Sequence, residues 1–263
     1  MKVFSFKNIR IIILLTLLAI AAIYTKEQRI NTTSWYQPIE VVIYPINGDG
    51  NSKTEHYIQS LTLKNFQDID TFFVRASKKY QLIVDKPIIT TLGNTISSRP
   101  PSPPADRNSI LKVMLWSMKL RYWTYNNTPD NTSNHNRVRL YVIYQQGSDD
   151  QALEHSLGLQ KGLIGIINAY AKPEQTKQNA IIMAHEILHT VGASDKYSYQ
   201  DNQPLYPNGY AQPEKKPLHP QRYAEIMAGR LAISPSQSKM PKDLRFCLVG
   251  EETAHEINWI TNP

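Results

Sequence analysis

The chain has 263 residues, and its 29 lysine and arginine residues against 22 acidic ones give a formal net charge of +7. Its hydrophobic content of 41% fits one globular domain, or two small lobes that share a core, and excludes a disordered or collagen-like chain. The single cysteine, Cys247, excludes an intrachain disulfide, a cysteine-rich zinc knuckle and a CxxC redox pair. Any bound metal must therefore be held mainly by histidine and carboxylate side chains.

The N-terminus has the pattern of an export signal. Three cations come before an uncharged apolar run: Lys2, Lys7 and Arg10. The run, residues 11–24, would span about 21 Å as a helix, which is short of the ~30 Å hydrocarbon core of a bilayer. Ala19 and Ala21 supply the small side chains of a signal-peptidase site. We therefore expect residues 1–24 to be a cleaved signal peptide or an uncleaved signal anchor, with the remaining domain secreted or held in the cell envelope.

This segment also accounts for part of the net charge. Residues 1–24 contain three basic residues and no acidic one, so the rest of the chain carries 26 basic against 22 acidic residues, a net charge of +4. A mildly basic domain lacks the concentrated positive charge with which proteins bind phosphate backbones. We expect a membrane partner through residues 11–24 and no nucleic-acid partner.

The first half of the domain alternates strand and helix patterns. Residues 25–36 are polar and are expected to form a tether, and the β-rich run 39–46 ends at an Asn-Gly-Asp-Gly turn. Apolar residues from Leu63 to Tyr80 recur at spacings of three and four, which predicts a helix. Residues 81–91 are a second strand candidate, and the proline-rich stretch 99–106 is expected to be a surface loop.

The following elements complete a mixed layer. Residues 109–123 fit a helix or a strand, with the apolar spacing favouring a helix, and residues 126–136 are expected to be loop. Residues 137–145 alternate regularly and predict a strand, and a glycine-containing strand pattern follows over 163–167. We expect an α/β or α+β layer formed by residues 37–263.

The residues that indicate chemistry are His185, Glu186 and His189. Two histidines four residues apart leave the same face of a helix, so both imidazoles can bind one metal ion, and Glu186 is close enough to reach a water there. The flanking residues are apolar and would bury this helix. A second His-Glu pair, His255 and Glu256, has a tryptophan at the fourth position and predicts only an ordinary helix surface.

The pattern continues beyond the second histidine. Gly192 can adopt the left-handed conformation that ends a helix and turns the chain back toward the metal. Asp195 can then supply a carboxylate oxygen as a third ligand, and with Gly192 in register we favour this over the alternative of a loop aspartate that caps a turn. Two imidazoles and one carboxylate leave a fourth tetrahedral position for water, which is typical of a catalytic zinc site.

The sequence His-Glu-x-x-His-x-x-Gly-x-x-Asp resembles the zinc motif of the metzincin metalloproteases, in the snapalysin-like variant with aspartate as third ligand. Met227, thirty-eight residues after His189, is similar to the methionine of the metzincin Met-turn, and Gly229 would permit the bend. The departures are the aspartate itself and the lack of a tyrosine two residues after Met227. Three tyrosines are candidate oxyanion donors instead: Tyr197, Tyr210 and Tyr223.

The resemblance implies a layout for the domain. It implies an α+β fold with a mixed twisted sheet, an active-site helix, a Met-turn and a C-terminal helix over about 241–260. The upper lobe would cover about 37–192 and the lower lobe about 193–263, and the strand 162–171 would be the sheet edge that pairs with an extended substrate.

The function implied is an exported zinc endopeptidase, monomeric, that hydrolyses protein or peptide substrates with Glu186 as general base. His219 is an alternative third ligand. In a gluzincin-type site, the third ligand would instead be Glu251 or Glu252. A different class is also open, namely an exported binding protein that keeps the zinc fold without turnover.

Overall fold

The computed structural model describes residues 6–106, 108–128, 136–147 and 155–260. Its helices are α1 (Phe6–Thr33), α2 (Ser52–Gln59), α3 (Gln67–Lys79), α4 (Ile110–Asn127), α5 (Thr176–Thr190) and α6 (Glu251–Glu256). Its strands are β1 (Ile39–Asn47), β2 (Ile88–Leu92), β3 (Arg137–Gln145), β4 (Leu157–Leu159), β5 (Ile164–Tyr170), β6 (Ala224–Glu225), β7 (Leu231–Ser234), β8 (Gln237–Lys239) and β9 (Cys247–Leu248). The fold is mixed α and β, which confirms the predicted α+β class.

Five strands form the main sheet, in the order β2-β1-β3-β5-β4. The first four are parallel to one another, and β4 is antiparallel to β5. The predicted alternation along β3 is confirmed, because one face of that strand enters the larger core: Val138, Leu140, Val142 and Tyr144. The expectation that the strand over 162–171 forms the sheet edge is wrong: β5 lies between β3 and β4, and β4 is the edge strand.

The sheet buries a separate core on each face. On one face, α3 and α5 contribute Phe72 and Ile187 to the larger core. On the other face, α4 places Trp116 and Leu120 in a smaller core with Tyr141. Helix α5 therefore lies on one side of the sheet, beside the edge strand β4, and α4 covers the opposite side.

Two elements are shorter than expected. The strand predicted over 81–91 begins only at Ile88, because Pro87 has no N–H and contributes only its carbonyl, which accepts from Ile39 N–H at 2.9 Å. The helix expected over about 241–260 is limited to α6. The residues before α6 form β9, paired with β6, and Gly250 precedes the helix in an extended conformation.

The N-terminal helix is longer than the apolar run. Helix α1 is long and apolar enough to cross a membrane, and none of its most apolar stretch is buried. The tether expected over 25–36 is instead helical as far as Thr33, since the segment lacks glycine and proline. Trp35 is already part of the core, and its indole N–H donates to Ile257 O at 2.6 Å. Lys2 and most of the loop expected over 126–136 lie outside the described ranges.

Candidate metal centre

Helix α5 presents both histidines on one face. Their ring centroids are 4.6 Å apart, as expected for residues separated by one helical turn. Most of the helix is buried, and the two imidazoles are themselves only 13% and 18% exposed. Burying two polar rings is unfavourable unless each nitrogen has a partner, so the partners decide what this face can do.

The turn after α5 returns the chain to these histidines. Gly192 has a φ of +110°, a conformation that favours glycine, and its N–H donates to His189 O at 3.1 Å. Ala193 N–H closes the turn on Leu188 O at 3.0 Å. The chain then places Asp195 Oδ1 3.1 Å from the Nε2 atoms of both histidines. The structure thus brings Asp195 to the histidines, as the motif predicts.

The other ring nitrogens are already bonded to carbonyl groups. His185 Nδ1 donates to Ile226 O at 3.0 Å, and His189 Nδ1 donates to Ala193 O at 2.7 Å. A carbonyl accepts only from an N–H, so each neutral ring keeps its lone pair on Nε2. These Nδ1 bonds are the kind that orient histidine ligands in metal sites.

The three remaining acceptor atoms face one another. The Nε2 atoms are 3.0 Å apart, and each is 3.1 Å from Asp195 Oδ1. Three lone-pair atoms this close repel one another unless a cation or a proton lies between them. A tetrahedral ion with ligand distances of about 2.0–2.1 Å separates its ligand atoms by about 3.3 Å, so the spacing suits such an ion. His185, His189 and Asp195 can therefore hold a metal ion.

The same contacts set the ionisation of the group. Burial disfavours the charged form of Asp195, but in the metal-free protein the hydrogen bonds that His185 and His189 donate from Nε2 when protonated, together with the one from Tyr199, hold the pKa of its carboxyl well below the usual range. Burial alone would lower the pKa of His185, yet the hydrogen bond with Asp195 and the charge of Glu186 raise it overall. The carboxylate is thus ionised and strongly attracts positive charge to this point.

Glu186 lies beside the metal group, formed by His185, His189 and Asp195, and one of its carboxylate oxygens has no hydrogen-bond partner in the part of the chain that the structure describes. Its side chain is 5% exposed, and Oε2 has no hydrogen-bond partner among the described residues. Burial raises the pKa of Glu186, while the two histidines oppose that rise. A buried, unpaired carboxylate oxygen is costly, so it indicates a site for a bound polar molecule or ion.

An open cleft of about 850 Å³ gives access to these residues. The edge strand β4 contributes Leu157 and Gly158 to its lining, together with Tyr197, Tyr199 and Met240. Strand β4 approaches α5 closely at Gly158, where a Cβ atom would lie 2.5 Å from Glu186 O and 2.6 Å from the Cβ of His189. Only glycine allows this approach without displacing backbone.

Met227 lies in a tight turn next to the metal group. It is fully buried, and its turn is closed by Gly229 N–H, which donates to Glu225 O at 3.0 Å. The residue before it, Ile226, supplies the carbonyl that orients His185. The turn therefore supports the first histidine directly.

The alternative ligands lie elsewhere. His219 Nε2 is 3.1 Å from the hydroxyl of Tyr210, and Glu251 and Glu252 line a separate cleft with Lys79. In the part of the chain that the structure describes, only one group of three candidate ligands converges: His185, His189 and Asp195. Of the three tyrosines considered from the sequence, only Tyr197 lines the cleft.

Two supporting residues were missed by sequence reasoning. The hydroxyl of Tyr199 donates to Asp195 Oδ2 at 2.7 Å, and its position four residues after a ligand was the only signal available. Glu256 accepts from Ser194 N–H at 2.9 Å and pairs with Lys196 Nζ at 2.7 Å. It thus holds both neighbours of Asp195, whereas the sequence indicated an ordinary helix surface.

Comparison with known protein families gives no match, and comparison with curated proteins gives no significant match.

Proposed function

We propose that the protein is an exported zinc-dependent endopeptidase of the metzincin type. The observation that carries the proposal is the convergence of the His185, His189 and Asp195 ligand atoms beside the unpaired Oε2 of Glu186, in one open cleft. The turn at Met227 supports the family proposal, because the carbonyl of its Ile226 accepts from His185 Nδ1 and so ties the turn to the first histidine.

Zinc is the metal that this donor set favours. Two imidazole nitrogens and one carboxylate oxygen form a three-ligand set typical of catalytic zinc sites. Bound zinc would supply a Lewis acid that polarises the scissile carbonyl and acidifies water. The low exposure of both histidines would keep bulk water from competing for the ion.

Glu186 is the proposed general base. Its Oε2 would accept the proton of the attacking water and pass it to the leaving amine. Burial raises its pKa, which makes it a better base than an exposed carboxylate. Tyr197, whose ring centroid is 6.4 Å from that of His185, is the best-placed candidate to donate to the developing oxyanion.

Strand β4 suits an extended peptide substrate. Among the described residues, its one partner strand is β5, so its other edge is unpaired there, and it borders the cleft beside Glu186. An extended peptide can add to such an edge through main-chain hydrogen bonds. This geometry favours an endopeptidase over an enzyme for small molecules.

Two other functions are less well supported. A gluzincin-type site would need Glu251 or Glu252 at the metal, and both line another cleft. An exported zinc-binding protein without turnover would not need a buried, unpaired carboxylate at Glu186, since that group weakens the fold when nothing uses it.

Helix α1 supports an exported location, either as a signal sequence or as an anchor that keeps the catalytic domain outside the cytoplasm. The positive residues Lys7 and Arg10 precede its apolar stretch, as expected for a segment whose N-terminal end stays in the cytoplasm.

The test is hydrolysis of a casein-type substrate by the purified full chain in detergent, with and without a zinc chelator. We expect chelator-sensitive cleavage. Glu186→Gln should keep stoichiometric zinc and lose about 10²–10⁴-fold in kcat, because a general base contributes that much. The matched control is Glu174→Gln, an exposed residue just before α5, which should retain activity. If the zinc-loaded Glu186→Gln variant cleaves the substrate as well as the wild type does, the mechanism is contradicted. If the zinc-loaded wild type shows no turnover at all, the result supports the binding-protein alternative.

A further inference from the structure

The outward face of α4 is apolar and exposed. Seven large side chains on it are 55–74% exposed: Ile110, Leu111, Met114, Leu115, Met118, Tyr122 and Tyr125. At about 100° per residue, these positions fall within an arc of about 140° on one side of the helix. A soluble domain rarely exposes a continuous apolar surface of this extent unless the surface binds something.

The opposite face of the same helix is already used for packing. Trp116, Leu120 and Thr124 are its buried residues, and the indole N–H of Trp116 donates to Pro101 O at 2.8 Å. The helix is therefore fixed on the sheet, and its apolar outer face cannot turn inward. Something other than this domain's own core must cover that face.

The charges around the stripe select the partner. Lys119 lies along one side of the apolar arc, Arg121 lies near its other border, and both are exposed. Lys112, on the same side as Lys119, is also exposed but pairs with Asp106 at 3.3 Å. Helix α4 contains no acidic residue. An apolar stripe bordered by cations, with amphipathic tyrosines near one end, matches a helix that lies in the interface of an anionic membrane.

The position of the domain relative to α1 agrees with a membrane partner. Helix α1 can cross a membrane and ends at Thr33, and Trp35 is already fixed in the core by its bond to Ile257. The polar last nine residues of α1 extend only about 13 Å beyond its apolar part. A domain attached this closely stays near the bilayer from which α1 emerges.

The direction of α4 is consistent with this placement. Arg121, in the second half of α4, donates to Lys161 O at 3.3 Å, just before the start of β5, and β5, β3 and β1 run parallel, so all three start at the same end of the sheet. Helix α4 therefore runs toward the end of the sheet at which the chain enters from α1. A second copy of the chain is a weaker partner, since two identical cationic borders would repel each other.

We propose that the outer face of α4 inserts into the interface of an anionic lipid membrane and orients the domain on it. This inference is independent of the metal centre. It requires only that the domain faces a bilayer, which α1 can provide as an anchor.

The test uses the full chain in lipid nanodiscs with a fluorophore attached at Met118→Cys. The native Cys247 is fully buried and does not compete for the label. The control label is at Ile83→Cys, an 86% exposed residue between α3 and β2. Circular dichroism of both labelled variants checks that they fold like the wild type.

In phosphatidylglycerol nanodiscs, we expect the label at position 118 to shift its emission to shorter wavelength and to be quenched by doxyl-labelled lipid, whereas the label at 83 is not. Replacing Lys119 and Arg121 by Glu, or using phosphatidylcholine alone, should reduce the quenching at 118. Equal quenching at 118 and 83 overturns the proposal. The label at 118 could instead show its emission shift only as the number of chains per nanodisc rises, without quenching by the lipid. That result assigns the face to a second copy of the chain and also overturns the proposal.

Discussion

His185 Nδ1 lies 3.0 Å from the carbonyl oxygen of Ile226, and this hydrogen bond joins α5, which carries both histidines, to the turn that contains Met227. The bond fixes the tautomer and the direction of the first proposed ligand. Its acceptor comes from a turn that is itself held by Glu225. The geometry of the candidate metal site thus depends on residues that are not among its three ligand candidates.

Glu225 should be essential for that turn. Its carboxylate is fully buried and accepts four hydrogen bonds: from the N–H groups of Met227 and Ala228 and from Gly250 N–H and Thr253 Oγ1. In Glu225→Gln, the amide group must face two of these donors, and each buried donor left without an acceptor costs about 1–3 kcal/mol. We expect a lower Tm and weaker zinc binding, measured by thermal unfolding and by competition with a chromophoric chelator.

The control for this variant is Glu251→Gln, which makes the same change at an exposed position on α6. It should leave both quantities unchanged. A Glu225→Gln protein with wild-type Tm would mean that the turn does not depend on the carboxylate.

Zinc affinities of single variants should distinguish the three proposed ligands from the alternative ligands. We expect His185→Ala, His189→Ala and Asp195→Asn each to lower zinc affinity by more than about 100-fold, which is beyond the usual effect of outer residues. His219→Ala and Glu251→Gln should bind zinc like the wild type, because their side chains lie outside the group. The measurement is a zinc competition titration. Full affinity in Asp195→Asn together with loss in His219→Ala would reassign the third ligand.

Tyr199 should increase the affinity for zinc without being required for zinc binding. Its hydroxyl donates to Asp195 Oδ2 at 2.7 Å, but the residue is 78% exposed, so water can replace part of the bond. We expect Tyr199→Phe to weaken zinc binding by about 10-fold, the lower end of the range for outer residues. Tyr206→Phe, also on the exposed surface, is the matched control. A loss as large as that of Asp195→Asn would indicate that Tyr199 positions the whole loop.

The parts of this structure that the sequence predicts are those with local patterns. The alternation over 137–145 and the i, i+4 spacing of His185 and His189 involve neighbours in the chain, so they are readable without a fold. The same holds for Gly192, because the end of a helix demands a special backbone conformation.

The features that escaped prediction depend on distant contacts. Strand β4 has only three residues, too few for a visible alternation, and it becomes the edge only because β5 pairs on both sides. Glu225 looks like any acidic residue until its four donors, some from 25 and more residues away, are assembled. In α4 both faces are apolar, so periodicity predicts the helix but cannot tell which side packs on the sheet.

Cys247 should be chemically silent in the folded protein. Burial raises the pKa of its thiol from about 9 to about 12, with the charges of Glu225 and Asp243 adding to the rise and Arg75 opposing it. The thiolate is the form that alkylating reagents attack, so labelling by iodoacetamide at pH 8 should be slow until the protein is unfolded in denaturant.

The same shift predicts a pH dependence of stability. Above pH 9 the unfolded chain loses the thiol proton while the folded protein keeps it, so the free energy of unfolding falls as pH rises toward 12, by about 1.4 kcal/mol per pH unit from this group. Cys247→Ala removes this contribution. Denaturant unfolding of both proteins between pH 8 and 10.5 should therefore show a steeper decline for the wild type. Parallel curves would mean that the thiol ionises in the folded state as readily as in the unfolded chain, and that the pocket around it admits water.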